Sequence, residues 1–183
     1  MSRCLVTVDL QNDYFPGGKM ELVGIENAAE NVRILLTEFR KKKLTVIYIQ
    51  HISKTPNAFF FLQETDGAKI NDRVITQEGE AVVVKNYPNS FRDTSLLEIL
   101  KNERINDLVI CGAMSHMCID ATTRAAFDLG FNCVVAEDAC ATRDLIFNSR
   151  IIKASEVHAS FMAALSSPYA KVATTRDIVN NMA

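Results

Sequence analysis

The chain has 183 residues, 48% of them hydrophobic, and its 20 Lys or Arg against 22 Asp or Glu give a formal net charge of -2. That length and apolar content suit one ordinary domain spanning 1–183, and the balanced charge, with no basic stripe, argues against a nucleic-acid partner. No apolar run reaches the length of a membrane span, and the N-terminal one is interrupted by Asp9, so neither a membrane anchor nor a signal peptide is expected.

Short apolar runs alternate with longer stretches of helical period, the pattern of an α/β domain built on a parallel sheet. The first run, Cys4 to Val8, is apolar on both faces, as a doubly covered strand must be, and ends at Asp9. The segment Gln11 to Gly24 follows without regular period. Ile25, Ala28, Ala29, Val32, Leu35, Leu36 and Phe39 then recur at helical spacing, and Lys41, Lys42 and Lys43 close that helix where its dipole favours cations. Leu44 to Ile49 reads as the second strand, Gln50 to Glu80 as a long irregular segment, and Ala81 to Val84 as the third strand, ending at Lys85. A second helix is expected over Thr94 to Leu100 behind the cap Asp93. Further strands are expected at Leu108 to Cys111, Cys133 to Ala136 and Val172 to Ala173. Helices are expected from Ser115 to a glycine cap at Gly130, over Ser149 to Ser166, and after Thr175. Both irregular segments leave the carboxyl ends of strands, where an open parallel sheet builds its ligand crevice, so they are the expected pocket walls.

The five cysteines, an odd number without tight pairing, fit free thiols in a reducing, cytoplasmic setting. Cys4, Cys111 and Cys133 fall in strands and read as core; Cys140 reads as part of an ordered loop. No CxxC or HExxH is present, and His51, His116 and His158 are far apart, so no metal site and no cofactor are expected. Cys118 is different. With Ser115 as N-cap it would sit in the first turn of a helix, where unpaired N–H groups and the dipole favour a thiolate and can also receive an oxyanion. Position alone suits that nucleophile and a small buried hydrophobe about equally. Asp9 and Lys85, at two other strand ends, would share the carboxyl edge with Cys118 and supply the proton carrier and cation that acyl transfer by a thiol requires.

Taken together, "VDLQNDYF" with Asp9, "VVKNYPNSF" with Lys85, "CGAMSHMCIDATTRAAFDLGF" with Cys118, and "VVAEDACATRD" resemble the isochorismatase-like cysteine hydrolases over nearly the whole chain. The resemblance implies a three-layer α/β/α fold with a Rossmann-like, mainly parallel six-stranded sheet. It also implies an Asp9–Lys85–Cys118 triad and a cis peptide at Ala113–Met114 that aims the Met114 N–H, with that of Cys118, at an oxyanion. Nicotinamidases of that family carry an Asp-x-His motif and a further histidine for a metal, whereas this chain reads "YIQHISK" with Gln50 before His51. His51 is therefore expected to hydrogen-bond within the loop or pocket. True isochorismatases of the family often lack the cysteine, so Cys118 favours metal-independent cleavage of a C–N bond in an amide, urea, carbamoyl compound or lactam, as in enzymes resembling streptothricin hydrolase. Vinyl ether hydrolysis and ligand binding without chemistry are the alternatives.

For a small-molecule substrate, Tyr14 and Phe15 in the first wall, Phe60 within Phe59 to Phe61 in the second, and Tyr87 after Lys85 supply apolar surface. Phe91 flanks the same segment. Gln11, Asn12, Asn89 and His116 supply polar contacts, with Met117 beside the nucleophile. Asp120, Arg124 and Asp128 are spaced either for a surface charge ladder or for a subunit contact. A homodimer or homotetramer is the expected assembly.

Overall fold

The computed structural model describes residues 2–55 and 57–182. Its strands are β1 (Ser2–Val8), β2 (Thr45–His51), β3 (Ala81–Lys85), β4 (Ile105–Ala113) and β5 (Asn132–Ala141); the inner strands carry two-faced apolar runs covered on both sides, whereas β3, at one edge, leaves Val82 and Val84 exposed. They pair in parallel, with a short strand Lys171–Ala173 at one edge, into a six-stranded sheet. Along β1 the faces alternate: Leu5 joins one apolar cluster, while Cys4, Val6 and Val8 join the other. The Leu5 face is covered by α1 (Ile25–Lys41), which buries Ile25, Ala28, Ala29, Val32, Leu35, Leu36 and Phe39 on one stripe. Each large side chain on that stripe contributes about 1.5–3 kcal/mol when fully buried. Ile178 of the C-terminal helix Thr175–Asn180 joins the same face. The opposite face is covered by α2 (Leu96–Asn102), α3 (Asp120–Asp128) and α4 (Ala154–Leu165), through Leu96, Leu100, Ala126, Met162 and Leu165. The result is three layers, α/β/α.

Strand order places the crevice. From β1 the chain adds β2 and then β3 on one side, then returns to add β4 and β5 on the other. The order therefore reverses between β1 and β4, and the carboxyl ends of those two strands part to leave room for a ligand. Val8 and Gly112 are partners across that seam. Gly112 has φ 119°, and a Cβ there would collide with the Val8 carbonyl oxygen, so only glycine lets the strands close.

Three boundaries depart from the sequence reading. Asp93 does not cap α2: it takes φ 56°, Ser95 is the N-cap residue, and the helix begins at Leu96. The stretch assigned to the start of the fourth helix is instead an antiparallel hairpin, β6 (Leu145–Phe147) and β7 (Arg150–Ile152), turned by Asn148 and Ser149 at φ 48° and 61°. Positive φ at both turn residues is the geometry whose twist matches paired strands. Lys153 then caps α4, its backbone N–H donating to Glu156 Oε2 at 3.0 Å. The third helix starts later than expected, and its entry belongs to the site.

Candidate active site

Asp9, Lys85 and Cys118 meet at the switch point. Asp9 follows β1 in the left-handed region, at φ 53°, with its N–H bonded to Ile49 O at 3.0 Å. Lys85 is the last residue of β3, paired with His51 at the end of β2. Its side chain runs inward along the sheet and is fully enclosed. The Lys85 Nζ lies 2.7 Å from Asp9 Oδ2, 3.3 Å from Cys118 Sγ and 2.9 Å from His51 Nδ1. Three ammonium protons thus have three acceptors, which is what a buried lysine requires.

An ammonium can only donate, so His51 Nδ1 accepts and the imidazole is neutral. Burial and the adjacent Lys85 charge both lower the His51 pKa, with Asp9 pulling against them. Burial by itself would lower Lys85, but Asp9 and Cys118 outweigh it and hold the ammonium above the usual lysine range. For Cys118 the balance falls the other way. Burial pushes its pKa far above the ordinary thiol value and Asp9 adds to the rise, while Lys85 opposes both without cancelling them. Burial and Asp9 thus weigh against the thiolate that a place at a helix start would favour.

The helix-start argument also changes in detail. Ser115 to Ile119 form a π turn ahead of α3, so Cys118 does not stand in an α-helical first turn. Ser115 caps nothing; its Oγ lies 3.3 Å from Ala141 O and 2.9 Å from His158 Nδ1. The Met114 carbonyl accepts from Met117 N at 3.0 Å and Ile119 N at 3.2 Å, passing over the Cys118 N–H between them. The Ala113–Met114 peptide is cis.

One ligand atom each from Asp9, His51 and Cys118 lie within 4.8 Å of one another, a spacing a metal ion could bridge. Lys85 Nζ contacts all three side chains, so their common acceptor direction is already served by an ammonium.

Cys118 opens onto a cavity of about 600 Å³. Tyr14, Phe59, Phe60, Phe61, Tyr87, Pro88, Met114 and Met117 give it apolar walls, and His51, Ser53, Lys54 and Asn86 give it polar ones. Of the residues proposed to touch substrate, Tyr14, Phe60 and Tyr87 line it, whereas Gln11, Phe15 and His116 do not. Gln11 is consumed by the fold. Its Nε2 donates to the carbonyls of His51 and Ala68, both at 2.8 Å, and its Oε1 accepts from His51 N at 2.7 Å. Phe15 packs into the α1 core. His116 turns away, with Nδ1 2.6 Å from Thr142 Oγ1 and its ring edge-on to Phe161.

Phe91 stacks on Phe131, Asn12 holds Asp66 and Asn71, and Asn89 accepts from Phe91 N, so none of these polar or aromatic residues reaches the cavity. Cys140 is buried in β5 beside Gly112. Of the charge ladder, Asp120 and Arg124 pair at 2.9 Å, and Arg124 also covers the Tyr169 ring. The three consecutive phenylalanines divide their roles: Phe59 is exposed, Phe60 half-buried and Phe61 core. Asp13, which carried no expectation, joins the two walls. It is buried and accepts from Phe61 N at 2.6 Å and Lys19 N at 3.2 Å, and Gly67 sits against its carboxylate with no space for a side chain. Only its place inside "QNDYF" hinted at this role. The polar wall formed by Ser53, Lys54 and Asn86 had no local signal beyond membership of loops after strands.

Among known proteins, the Isochorismatase domain profile matches residues 3–177. The chain is 48% identical to the uncharacterised isochorismatase family protein YddQ of Bacillus subtilis, over 96% of this chain and 97% of that protein. It is 31% identical to a streptothricin hydrolase of Streptomyces noursei, covering 78% of this chain and 51% of the relative. A crystal structure described as an isochorismatase hydrolase from Oleispira antarctica superposes with a TM-score of 0.94 at 52% identity, covering 98% and 96% of the two chains. Among the described residues, no helix is long and apolar enough to cross a membrane.

Proposed function

The chain belongs to the isochorismatase family of hydrolases, and from that premise we propose that it is a metal-independent cysteine hydrolase. Its substrate is a small amide, urea, carbamoyl compound or lactam, cleaved at a C–N bond through a thioester. The observation that carries this reading is the Lys85 Nζ, which touches both Asp9 Oδ2 and the Sγ of Cys118, a residue that lines the cavity. Similarity to streptothricin hydrolase adds support for an amide-type bond.

In this reading Asp9 is ionised and Cys118 is protonated before substrate enters. Asp9 Oδ1 has no hydrogen-bond partner among the described residues and is free to take the thiol proton. The sulfur attacks the carbonyl carbon as that proton moves, and the oxyanion is received by the N–H groups of Met114 and Cys118. Collapse of the adduct expels the nitrogen, which takes the proton back from Asp9 and leaves as ammonia or an amine. A water, deprotonated by Asp9, then attacks the thioester; the carboxylic acid departs and Cys118 recovers its proton. Lys85 stays charged throughout and offsets whichever neighbour is anionic.

The test is turnover of a panel of primary amides, ureas, carbamoyl compounds, lactams and isochorismate by the wild type, Cys118→Ala and Cys118→Ser, with mass spectrometry for the thioester. Normal turnover by Cys118→Ala would end the reading. Turnover of isochorismate alone would move vinyl ether hydrolysis ahead. The same reading includes a homodimer or homotetramer in a cytoplasmic setting, to which the exposed Ile146, Phe147 and Ile151 of the hairpin would lend apolar surface. Light scattering would reject the assembly by returning a monomer.

A further inference from the structure

His51 is the third side chain around the Lys85 ammonium, and no step above uses it. Its backbone is clamped on both sides by Gln11, which accepts from its N–H at 2.7 Å and donates to its carbonyl at 2.8 Å. Its ring centroid lies 5.9 Å from that of Phe61. With Nδ1 accepting from Lys85 at 2.9 Å, the one hydrogen of the neutral ring must sit on Nε2. Nε2 has no protein partner among the described residues, and His51 lines the cavity. His51 and Cys118 line the same cavity, so a fixed donor with no protein acceptor borders the space that receives the substrate.

We propose that His51 is a positioning residue for Lys85 and, through Nε2–H, the donor that selects amides carrying a hydrogen-bond acceptor close to the scissile carbonyl. The selection half rests on the hydrolase reading; the tautomer does not. A donor left unanswered once substrate has displaced water from it is costly, so amides with a hydroxyl, keto, ether or ring-nitrogen acceptor near the reacting carbon are favoured over plain alkyl amides. The charged or titratable groups that face the ring are Asp9 after β1, Lys85 of β3 and Cys118 in the turn before α3. A second proton on the ring would have to occupy Nδ1, opposite the ammonium. Burial and Lys85 both resist that, in agreement with the lowered pKa.

Two measurements on the full chain test this, and neither needs turnover. The first is ¹⁵N NMR of histidine-labelled protein, with His51→Asn assigning the His51 signals. A neutral Nε2–H imidazole that persists below the ordinary histidine value of 6.5 supports the proposal. An Nδ1–H tautomer, or titration at or above that value, overturns it. The second compares Cys118 alkylation by iodoacetamide, which carries a carbonyl acceptor, with alkylation by allyl bromide, which does not. In His51→Asn the shorter side chain puts an acceptor where Nδ1 stood and keeps Lys85 anchored, but the outward donor is lost. The iodoacetamide rate should fall about fivefold relative to the allyl bromide rate, the worth of one ordinary hydrogen bond. Equal changes with both reagents overturn the selecting role. Retained turnover in Cys118→Ala would sink the hydrolase reading while leaving the tautomer result standing, so the two failures are distinct.

Discussion

Replacing Asp9 by Asn should make Cys118 more reactive toward alkylation while abolishing turnover. The two side chains present their ligand atoms within 4.8 Å of each other. A carboxylate at that distance disfavours a neighbouring thiolate by at least about 3.5 kcal/mol at an effective dielectric near 20. If relaxation and entering water halve that, about 1.7 kcal/mol remains, which is still more than tenfold in thiolate fraction at fixed pH. The sign is unambiguous: Asn is nearly isosteric, carries no charge, and leaves the Lys85 ammonium with the sulfur as its only anionic partner. General acid–base work is lost at the same time, so hydrolysis should fall by about 10²-fold or more. Peptide mass spectrometry after short iodoacetamide pulses between pH 6 and 9 measures the first effect. Cys4, Cys111, Cys133 and Cys140 are all buried and report any leak through unfolding. If Asp9→Asn is folded, those four stay protected, and Cys118 alkylates no faster than in the wild type, the electrostatic account of the thiol is wrong.

Lys85→Met leaves the Asp9 carboxylate buried without its cation and should cost about 3–5 kcal/mol, seen as a fall in Tm of roughly 10 °C. Because the folded Lys85 pKa is raised above 10.5, the wild-type advantage should be complete at neutral pH and shrink only as pH climbs above that value, which paired melts from pH 7 to 11 would record. Arg40→Ala removes bonds to both carboxylate oxygens of Glu80, to Tyr48 Oη and to Ile75 O, and should cost about 2–3 kcal/mol in urea melts. In the same assay Arg33→Ala, which breaks only the exposed pair with Glu30, should change stability by less than about 0.5 kcal/mol. Gly112→Ala forces β1 and β4 apart at the seam that aligns Asp9 with Cys118, so it should give little soluble protein, and any that folds should lose the turnover that depends on that alignment.

The alternation of strands and helices around a parallel sheet was legible because two-sided burial leaves a coarse mark: each central strand contains an apolar run that no exposed element would tolerate. The strand order was not, since pairing between distant segments leaves no local pattern. Nor were the strand ends. β5 continues through Glu137 and Asp138, which read as loop, yet Asp138 Oδ1 accepts from both the N–H and the hydroxyl of Thr175 and so ties the strand to the last helix. The β6–β7 hairpin was missed for a related reason. Three-residue strands are too short to establish alternation, and Ile151 happens to fall in helical phase with Ala154, Met162 and Leu165 of α4. The one cue was Asn148-Ser149, a weaker turn pair than Asn-Gly.

For the site, the identities of three residues could be read from their places at strand ends, but their charge states could not. Sequence put Cys118 near a helix start, and a helix terminus favours an anion by only about 0.3–1 kcal/mol at ordinary exposure. A carboxylate within 4.8 Å and burial of the sulfur act against the anion with several times that strength, and neither can be measured without coordinates. The same distances suit a thiol as the resting form of the proposed reaction. Lys85 contacts Asp9 Oδ2, leaving Oδ1 to take a proton, and contacts Sγ, so the charge created by that transfer is met without any group moving. A preformed thiolate beside the Asp9 carboxylate would place two anions on one ammonium, and the protein would carry that repulsion in every empty molecule. In the proposed reaction the proton instead moves as the carbon–sulfur bond forms, and the negative charge passes from sulfur to the carbonyl oxygen, away from Asp9 and toward the backbone N–H groups.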